Sequence, residues 1–450
     1  MASLVAAGFA LVLNGSPASA AASAPGSFTS LKPDRLLDTR NGTGAAQHPV
    51  AAGASVILQV AGRGGVPASG AGAVVLNVTV TGATAAGGYL TVWPDGTQPT
   101  VSNLNFVRGQ TVANLVISRV SAAGTVSIAN NSSGTVQIIA DVSGYYAVGN
   151  PTAPGMLAPL NPFRVLNTRN GLGAPKAAVG PGKTLRVQVD GVAGSGVPAT
   201  GVAAVVLNVT VTAPTAGGYV TAWGDGARPG SSNLNFGRGQ TVPNLAVVPV
   251  DSAGKVSFYN GSAGTVQLVA DVSGYFLAGG PLVNGGLGSV PPSRLLDTRN
   301  GTGGPGGAIP GKGIRSLAVR GKAWVLPGGV SAVVLHVTAT APAAAGYITV
   351  WDGGMPLPPA SNLNFLRGQT IANLVVAPVS ASGTVSFFNG SAGAVQVIAD
   401  VAGFVLSADR TPAPPTASTG RYVRNISNGG AADVTTMRAE GCADAQAATG

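Results

Sequence analysis

Short apolar runs, separated by segments rich in glycine and proline, make up most of the chain. In its first third, the runs that we predict to be β-strands are residues 55–60, 73–81, 89–93, 103–106, 112–120, 125–129 and 136–141. Turn-forming sequences such as TAAGG, PDG and NNSSG separate them. Many short strands without an intervening helical period predict an antiparallel β-sandwich or a closed barrel.

One of these runs differs from the others in its polarity pattern. The segment AVVLNVTVT, at residues 73–81, is mostly apolar at both odd and even positions. Successive side chains of a strand point to opposite faces, so this strand has two apolar faces. The pattern predicts a central strand that is covered on both sides.

Three copies of one unit follow each other along the chain. RLLDTRNGTG begins at Arg35 and again at Arg294, while RVLNTRNGLG begins at Arg164. SNLNF and the segments ADVSGYY, ADVSGYF and ADVAGFV return with the same period, which is far longer than that of a solenoid repeat. We therefore predict an all-β chain of three tandem antiparallel β-sandwich (or barrel-like) domains of about 130 residues each. Short Pro/Gly linkers between them predict beads arranged as a semi-rigid rod.

The predicted domain boundaries follow from this alignment of the copies. The β repeat domains occupy residues 27–147, 156–277 and 286–407, hereafter copy one, copy two and copy three. Residues 408–420 form a Pro-rich linker, and residues 421–450 look like the start of a truncated C-terminal domain. The change of composition at this point indicates a new unit.

The first residues have the features of an export signal. An apolar core at residues 6–13 precedes the small-residue sequence PASA, so residues 1–22 are predicted to be a signal peptide. A membrane anchor is the alternative, although the run is short for a span. We expect a secreted or extracellular protein, associated with the cell wall, with no membrane span after signal cleavage.

Composition narrows the choice of partner. The 450 residues are 45% hydrophobic and 9% charged, with a formal net charge of +10. Basic residues are scattered without a Lys/Arg run, so we expect no nucleic-acid binding. An anionic polymer such as a teichoic acid or an acidic glycan is a better match to this charge. The single cysteine, Cys442, excludes an intrachain disulfide and a cysteine-based metal cluster.

A small set of charged residues recurs at equivalent positions of all three copies. Because buried charges need partners, we expect structural ion pairs that tie the DTR segment to the last strand of each copy. The residues concerned are Arg35, Arg40 and Asp141 in copy one, Arg164, Arg169 and Asp271 in copy two, and Arg294, Arg299 and Asp400 in copy three.

Catalysis within the repeats is not expected. Asp38 and Asp297 are replaced in copy two by Asn167, and an amide cannot transfer protons as a carboxylic acid does. The two histidines, His48 and His336, belong to no repeated triad. We therefore predict no catalytic residues, no cofactor and no metal.

A ligand-binding face is the stronger candidate for function. In GYLTVW, Tyr89, Thr91 and Trp93 lie on one side of a strand. In SNLNF, Asn103 and Asn105 share a face, and pairing of the two strands would place aromatic rings beside amides, as in sugar-binding sites. The alternative is that the amides cap buried backbone groups while the rings pack in the core. The candidate residues are Tyr89, Trp93, Asn103, Asn105, Tyr219, Trp223, Asn233, Asn235, Tyr347, Trp351, Asn362 and Asn364.

The ordered motifs RLLDTRNGTG, AVVLNVTVT, GYLTVWPDG, SNLNF, GQTVANL and IADVSGYY resemble a repeat domain of secreted actinobacterial proteins. The resemblance covers residues 28–406. It implies a β-rich accessory module of exported and surface proteins, often found beside a hydrolase or a wall-associated domain. It supplies no catalytic residues, and the chain departs from the pattern at Asn167 and His336.

Two functions are compatible with these observations. The first is a non-catalytic, secreted cell-surface module, a spacer or adhesion array that binds envelope polysaccharide. The alternative is the targeting portion of a secreted hydrolase that degrades cell wall or polysaccharide, with a catalytic domain beyond residue 420.

Overall fold

The computed structural model describes residues 23–407. The predicted signal peptide, Pro-rich linker, C-terminal domain and Cys442 lie outside the described residues. All 24 regular elements within residues 23–407 are β-strands. This part of the chain includes no helix with the length and hydropathy needed to cross a membrane.

Each copy contributes eight strands at equivalent places. Copy one contains β1 (Phe28–Asp38), β2 (Ser55–Gln59), β3 (Ala71–Thr81), β4 (Gly87–Trp93), β5 (Leu104–Val107), β6 (Val112–Arg119), β7 (Thr125–Ser132) and β8 (Gln137–Ala147). Copy two contains β9 (Leu157–Asn167), β10 (Thr184–Gln188), β11 (Val202–Thr212), β12 (Gly218–Trp223), β13 (Leu234–Phe236), β14 (Val242–Pro249), β15 (Lys255–Asn260) and β16 (Gln267–Leu277). Copy three contains β17 (Leu287–Asp297), β18 (Ile314–Ala318), β19 (Val330–Thr340), β20 (Gly346–Trp351), β21 (Leu363–Phe365), β22 (Ile371–Pro378), β23 (Thr384–Asn389) and β24 (Gln396–Leu406).

The strands form six antiparallel sheets of four strands, two in each copy. In copy one the orders are β1-β8-β3-β6 and β2-β7-β4-β5, and the other copies repeat them. This pairing of the first strand with the last, and of the second with the seventh, is the strand order of a jelly roll. The two sheets of copy two share one cluster of buried side chains, which includes Leu207 from β11 and Phe258 from β15.

The central strand predicted from AVVLNVTVT is confirmed. β3 lies between β8 and β6, and its residues from Ala73 to Val80 are buried. Val74, Leu76 and Val78 face the core of their own copy, whereas Ala73 and Val75 belong to a second cluster that all three copies build together. Both faces of the strand are therefore covered, but by different parts of the molecule.

The prediction of three tandem sandwich domains along a rod is wrong. The three copies belong to one compact unit and close on one another as a ring of six sheets. A third apolar cluster lies where they meet, because each copy leaves one apolar sheet face that must be buried. The cluster includes Val75, Leu115, Ile117, Val206, Leu245, Val247, Val334, Leu374 and Val376.

Buried asparagines join the copies around this centre. Asn114, Asn244 and Asn373 occupy equivalent positions of β6, β14 and β22. Each side-chain oxygen accepts a backbone N–H from another copy at 3.1–3.2 Å, in the pairs Asn114–Leu245, Asn244–Leu374 and Asn373–Leu115. The contacts run from copy one to two, two to three and three to one, so the ring is closed.

The linkers also belong to the ring rather than acting as spacers. Backbone N–H groups of Phe28, Leu157 and Leu287 donate at 2.8–3.0 Å to carbonyls of Gly285, Gly26 and Gly155, respectively. Gly285 has φ of 79°, and a Cβ at this position would lie 2.7 Å from the Phe28 nitrogen. Only glycine permits so close an approach in this conformation.

Candidate functional site

In each copy, an arginine faces an aspartate where the first strand pairs with the last. Arg35 is the register partner of Asp141, and its Nε donates to Asp141 Oδ1 at 2.8 Å. The equivalent distances are 2.7 Å for Arg164–Asp271 and 2.9 Å for Arg294–Asp400. The structure thus brings together the arginine and aspartate proposed as structural pairs. Burial raises the pKa of Asp141, while hydrogen bonding and charge attraction from Arg35 act in the opposite direction.

A second carboxylate, which the sequence analysis did not include among the ion pairs, completes the cluster. Asp38 Oδ2 accepts from Arg40 Nη2 at 2.7 Å and from Arg35 Nη1 at 3.3 Å. Hydrogen bonds from Arg40 hold the pKa of Asp38 below its usual value, although burial opposes them. In copy three, Arg294, Asp297 and Arg299 repeat this arrangement, with distances of 3.1 and 2.7 Å. In copy two, Arg169 instead donates to Asn167 Oδ1 at 3.0 Å.

The first asparagine of SNLNF has a structural role. Asn103 is buried, and its Oδ1 accepts the backbone N–H of Val92 at 2.7 Å. Its equivalents accept at 2.6 and 2.7 Å from Ala222 and Val350, in the pairs Asn233–Ala222 and Asn362–Val350. At these positions the amide caps a buried backbone group. For these three asparagines the structure therefore agrees with the structural alternative and not with ligand binding.

The second asparagine pairs with the tyrosine of GYLTVW. Tyr89 is the register partner of Asn105 in the β4–β5 pair, and Tyr219–Asn235 and Tyr347–Asn364 repeat this arrangement. The side chain of Tyr89 is 38% exposed. Aromatic ring and amide thus lie side by side in each copy, although Tyr219 and Tyr347 are half-buried and Asn364 is buried.

The tryptophans do not extend this open face. Trp93, Trp223 and Trp351 are buried, and their Nε1 atoms donate at 3.0–3.4 Å to nearby backbone carbonyls. In copies two and three, the first strand of the neighbouring copy lies against the tryptophan. Residues 30–33 of copy one lie against Trp351 in a groove of about 190 Å³, and residues 289–292 lie against Trp223 in one of about 240 Å³.

A larger cleft lies at the junction between copies three and one. It has a volume of about 450 Å³, within the range of small-molecule sites. Arg35 and Arg40 line it from copy one, and Tyr347 and Asn364 line it from copy three. Thr79 adds a buried hydroxyl that has no hydrogen-bond partner among residues 23–407. The cleft therefore combines cationic, aromatic, amide and hydroxyl groups, which the sequence analysis had placed in separate sets.

The neighbours of the tyrosine differ between copies. Tyr219 lies 6.2 Å from Tyr259, and Tyr347 lies 6.2 Å from Phe388, between ring centroids. The guanidinium of Arg228 lies 3.7 Å from the Tyr259 ring centroid. In copy one the equivalent residue is Ala129, paired with Thr91 as Tyr259 is paired with Thr221. Copies two and three thus present two adjacent rings, and copy one presents a single ring.

His336 replaces an interface asparagine in copy three. In copy two, Asn208 Nδ2 donates at 2.5 Å to the carbonyl of Ser102 in copy one. At the equivalent place, His336 Nε2 lies 2.9 Å from Asn233 Nδ2 of copy two. Burial lowers the pKa of His336 to about 4.

No family model and no curated protein sequence matches the chain. Among solved structures, it is similar to "The Triple Jelly Roll Fold and Turret Assembly in an Archaeal Virus", with 10% identity, a TM-score of 0.19, and coverage of 84% of this chain and 90% of that one. It is also similar to the Sulfolobus Turreted Icosahedral Virus structure, with 10% identity, a TM-score of 0.21, and coverage of 85% and 92%. The CBM22-1-CBM22-2 tandem domain of Paenibacillus barcinonensis Xyn10C aligns with 13% identity, a TM-score of 0.17, and coverage of 57% and 100%. The jelly-roll topology follows from the strand order within each copy.

Proposed function

We propose that this chain is a non-catalytic, secreted module that binds envelope or extracellular polysaccharide at the junctions between its copies. The observation that carries the proposal is the cleft between copies three and one. There, Tyr347 and Asn364 face Arg35 and Arg40 across about 450 Å³. Membership of the secreted actinobacterial repeat family and location at the cell wall belong to the same proposal. The signal-peptide pattern at residues 1–22 supports secretion.

The chemistry of the cleft suits a sugar. A pyranose ring has apolar C–H faces, which stack on aromatic rings, and a rim of hydroxyls that both donate and accept hydrogen bonds. An asparagine amide and a threonine hydroxyl also donate and accept, whereas arginine only donates. Tyr347 lies in the cleft lining together with the exposed hydroxyls of Thr81 and Thr111, so one sugar unit could contact all three.

Repetition of the site favours a polymer over a free sugar. Tyrosine–asparagine pairs recur at three positions of one compact unit, at Tyr89, Tyr219 and Tyr347. A polymer that contacts two or three clefts gains effective concentration, so weak individual sites add up to useful avidity. We therefore expect tighter binding to long chains than to short oligosaccharides.

A pull-down on purified cell walls and insoluble polysaccharides, across a salt series, tests the proposal. The full chain is compared with a triple variant, Tyr89→Ala, Tyr219→Ala and Tyr347→Ala. The tryptophans are unsuitable targets because they are buried. The matched control is Ile57→Ala with Ile314→Ala, which removes two exposed apolar side chains outside the cleft lining.

Salt-resistant binding by the native chain and the control is the expected result. Each aromatic contact contributes on the order of 1 kcal/mol, so loss of three rings should weaken polymer binding by about 100-fold. Binding that fades with salt equally in all proteins would indicate only nonspecific charge attraction and would refute the proposal. Absence of binding would leave a spacer role.

A further inference from the structure

In copies one and three, one carboxylate oxygen accepts hydrogen bonds from two arginines at once. Asp38 Oδ2 accepts from Nη1 of Arg35 and Nη2 of Arg40, and Asp297 Oδ2 accepts in the same way in copy three. Its companion Oδ1 accepts the backbone N–H and Nε of Arg40, at 3.1 and 2.8 Å. All four interactions depend on an acceptor at both oxygen positions.

Copy two reproduces only half of this arrangement. Asn167 Oδ1 accepts the backbone N–H and Nε of Arg169 at 3.2 and 3.0 Å, as Asp38 Oδ1 does with Arg40. The place of the second oxygen is therefore taken by the side-chain NH₂ group, which can only donate. Within residues 23–407, neither this group nor Nη1 of Arg164 nor Nη2 of Arg169 has an acceptor. In the other copies the equivalent arginine groups share the second carboxylate oxygen, which copy two lacks.

The charge balance changes accordingly. The clusters of copies one and three contain two guanidinium groups and two carboxylates and are neutral. Copy two contains Arg164 and Arg169 but only the carboxylate of Asp271, which leaves a charge of +1. Asp34 adds further negative charge near Asp141 in copy one, and the equivalent residue in copy two is Phe163. Copy two is therefore the most electropositive of the three clusters.

This cluster faces copy one across a junction equivalent to the cleft already described. Burial raises the pKa of Asp271, and a hydrogen bond from the backbone of Ser102 in copy one lowers it. Asn208 Nδ2 of copy two donates to the Ser102 carbonyl. Thr210, the counterpart of the cleft residue Thr79, is buried and its hydroxyl has no partner in the described structure. Ser102 belongs to the SNLNF segment of copy one, which also carries Asn105 opposite Tyr89.

We propose that the junction between copies one and two binds an oxyanion through Arg164, Arg169 and the side-chain amide of Asn167. An anionic oxygen there would supply the acceptor that Asp38 and Asp297 supply elsewhere. Guanidinium groups bind carboxylate and phosphate oxygens strongly because their N–H groups are planar and permanently charged. Asn167 is only 6% exposed, so the bound oxygen would be partly shielded from water, which strengthens the attraction.

The site also specifies the class of polysaccharide, an inference that rests on the proposed function. A sugar ring stacked on Tyr89 could carry its anionic group toward Arg164 and Arg169. Two sources share this chemistry, the carboxylate of a hexuronic acid and the phosphodiester of a polyol-phosphate chain. The anion site itself does not depend on the polysaccharide, so the two are tested separately.

Inorganic phosphate is the first probe, titrated into the full chain at constant ionic strength and followed by arginine Nε–H signals in NMR. We expect one saturable site, at least about tenfold weaker in Asn167→Asp, which places a carboxylate oxygen between the two arginines as in copies one and three. Arg315→Gln removes one charge from the exposed β18 strand, outside this junction, and should leave the affinity unchanged. Equal affinity of the native chain and Asn167→Asp, or no saturable site at tens of millimolar phosphate, would overturn the proposal.

A gain-of-site variant keeps the test independent of stability losses. Asp297→Asn recreates the copy-two arrangement in copy three, where Ser293 rather than an acid occupies the position of Asp34. The expected result is two phosphate sites per chain instead of one. A stoichiometry that remains at one would contradict the assigned mode of binding.

Short oligogalacturonates and glycerol-phosphate oligomers then distinguish the two sources. Tighter binding of one of them than of inorganic phosphate, lost in Tyr89→Ala, would identify the anionic group of the polymer. If neither exceeds inorganic phosphate, the anion site stands and its link to a polysaccharide is refuted.

Discussion

Replacing His336 by asparagine should remove a source of acid sensitivity at the junction between copies two and three. His336 is buried, and its Nε2 lies 2.9 Å from Asn233 Nδ2, which can only donate. Nε2 must therefore accept, and the ring proton resides on Nδ1, which has no partner within the described residues. A second proton on Nε2 would break the contact with Asn233 and place an unpaired charge in the interior.

The magnitude follows from the two pKa values. Burial lowers the pKa of His336 from 6.5 to about 4 in the folded chain. Between these values the unfolded chain binds a proton that the folded chain excludes. The histidine contribution to stability is thus complete above pH 6.5, falls as the pH falls, and is exhausted below pH 4. At about 1.4 kcal/mol per pKa unit, the loss is about 3 kcal/mol.

Buried aspartates change the stability in the opposite direction as the pH falls. The pH dependence of the native chain's unfolding free energy therefore does not by itself reveal the effect of His336. Burial raises the pKa of Asp190 to about 6, and the repulsion from Asp251 adds to this effect. The folded chain then binds a proton more readily than the unfolded chain, which stabilises it as the pH falls. Asp141, Asp271 and Asp400 also have raised pKa values because they are buried. Both proteins contain these aspartates, so their contributions cancel when the free energy of unfolding of the variant is subtracted from that of the native chain at each pH.

Urea unfolding of the native chain and His336→Asn, followed by tryptophan fluorescence from pH 7.5 to pH 4, measures the difference. The free energy of unfolding of the variant relative to the native chain should rise by about 3 kcal/mol over this range. His48→Asn removes an exposed histidine away from the junctions and serves as the control for loss of an imidazole. A native-minus-variant difference that does not change with pH would refute the assignment of a neutral, buried His336.

Three further predictions concern the ring. Leu115→Ala should lower the free energy of unfolding by 2–5 kcal/mol in urea titrations, because Leu115 is buried where the copies meet; a change under 1 kcal/mol would contradict this packing. Arg35→Gln should cost about 3–5 kcal/mol at pH 7 and less at pH 4, where protonation relieves the unpaired Asp141; a pH-independent loss would argue against the ion pair. Residues 27–147 alone should form a trimer in sedimentation experiments, since one face is shaped to meet two further copies; a stable monomer would refute this.

The strand pattern could be predicted because its signals are local. The expected strands at residues 73–81 and 112–120 correspond to β3 at Ala71–Thr81 and β6 at Val112–Arg119. Alternation of side chains and the turn sequences between them determine such segments without reference to the rest of the molecule. The pairing of Arg35 with Asp141 could be expected for a different reason: a chain with few acidic groups has few partners for a buried guanidinium.

Closure of the ring could not be predicted, because the partner of an apolar face is not encoded in that face. Each of the two apolar faces of β3 had to be covered. The pattern does not show whether a second sheet of the same copy or a neighbouring copy covers a given face. Asn114 carried the same ambiguity, since its side-chain oxygen accepts the backbone N–H of Leu245 in another copy. The Pro/Gly linkers suggested spacers, although their backbones pair across the ring.

The candidate site was limited by the same missing information. Strand alternation placed Tyr89 and Trp93 on one face, and this face exists within β4. Exposure, however, depends on the adjacent copy, whose first strand lies against Trp223 and Trp351. The arginines then reach the tyrosine from across a junction rather than from the same copy. The candidate face that the sequence analysis assigned to a single copy thus lies in a cleft between two copies.

One chain with three copies can do what a trimer of identical chains cannot: it can alter one junction without altering the other two. In a homotrimer, Asn167 would appear three times and remove the neutralising carboxylate from every junction. Here the junction of copies one and two carries an unbalanced guanidinium, that of copies two and three carries His336, and that of copies three and one keeps a neutral cluster. Residues that are identical in the copies give every junction the same groups, including the tyrosine–asparagine pair. Functional differences between the junctions must therefore come from positions at which the copies diverge, and Asn167 and His336 are two buried positions of this kind.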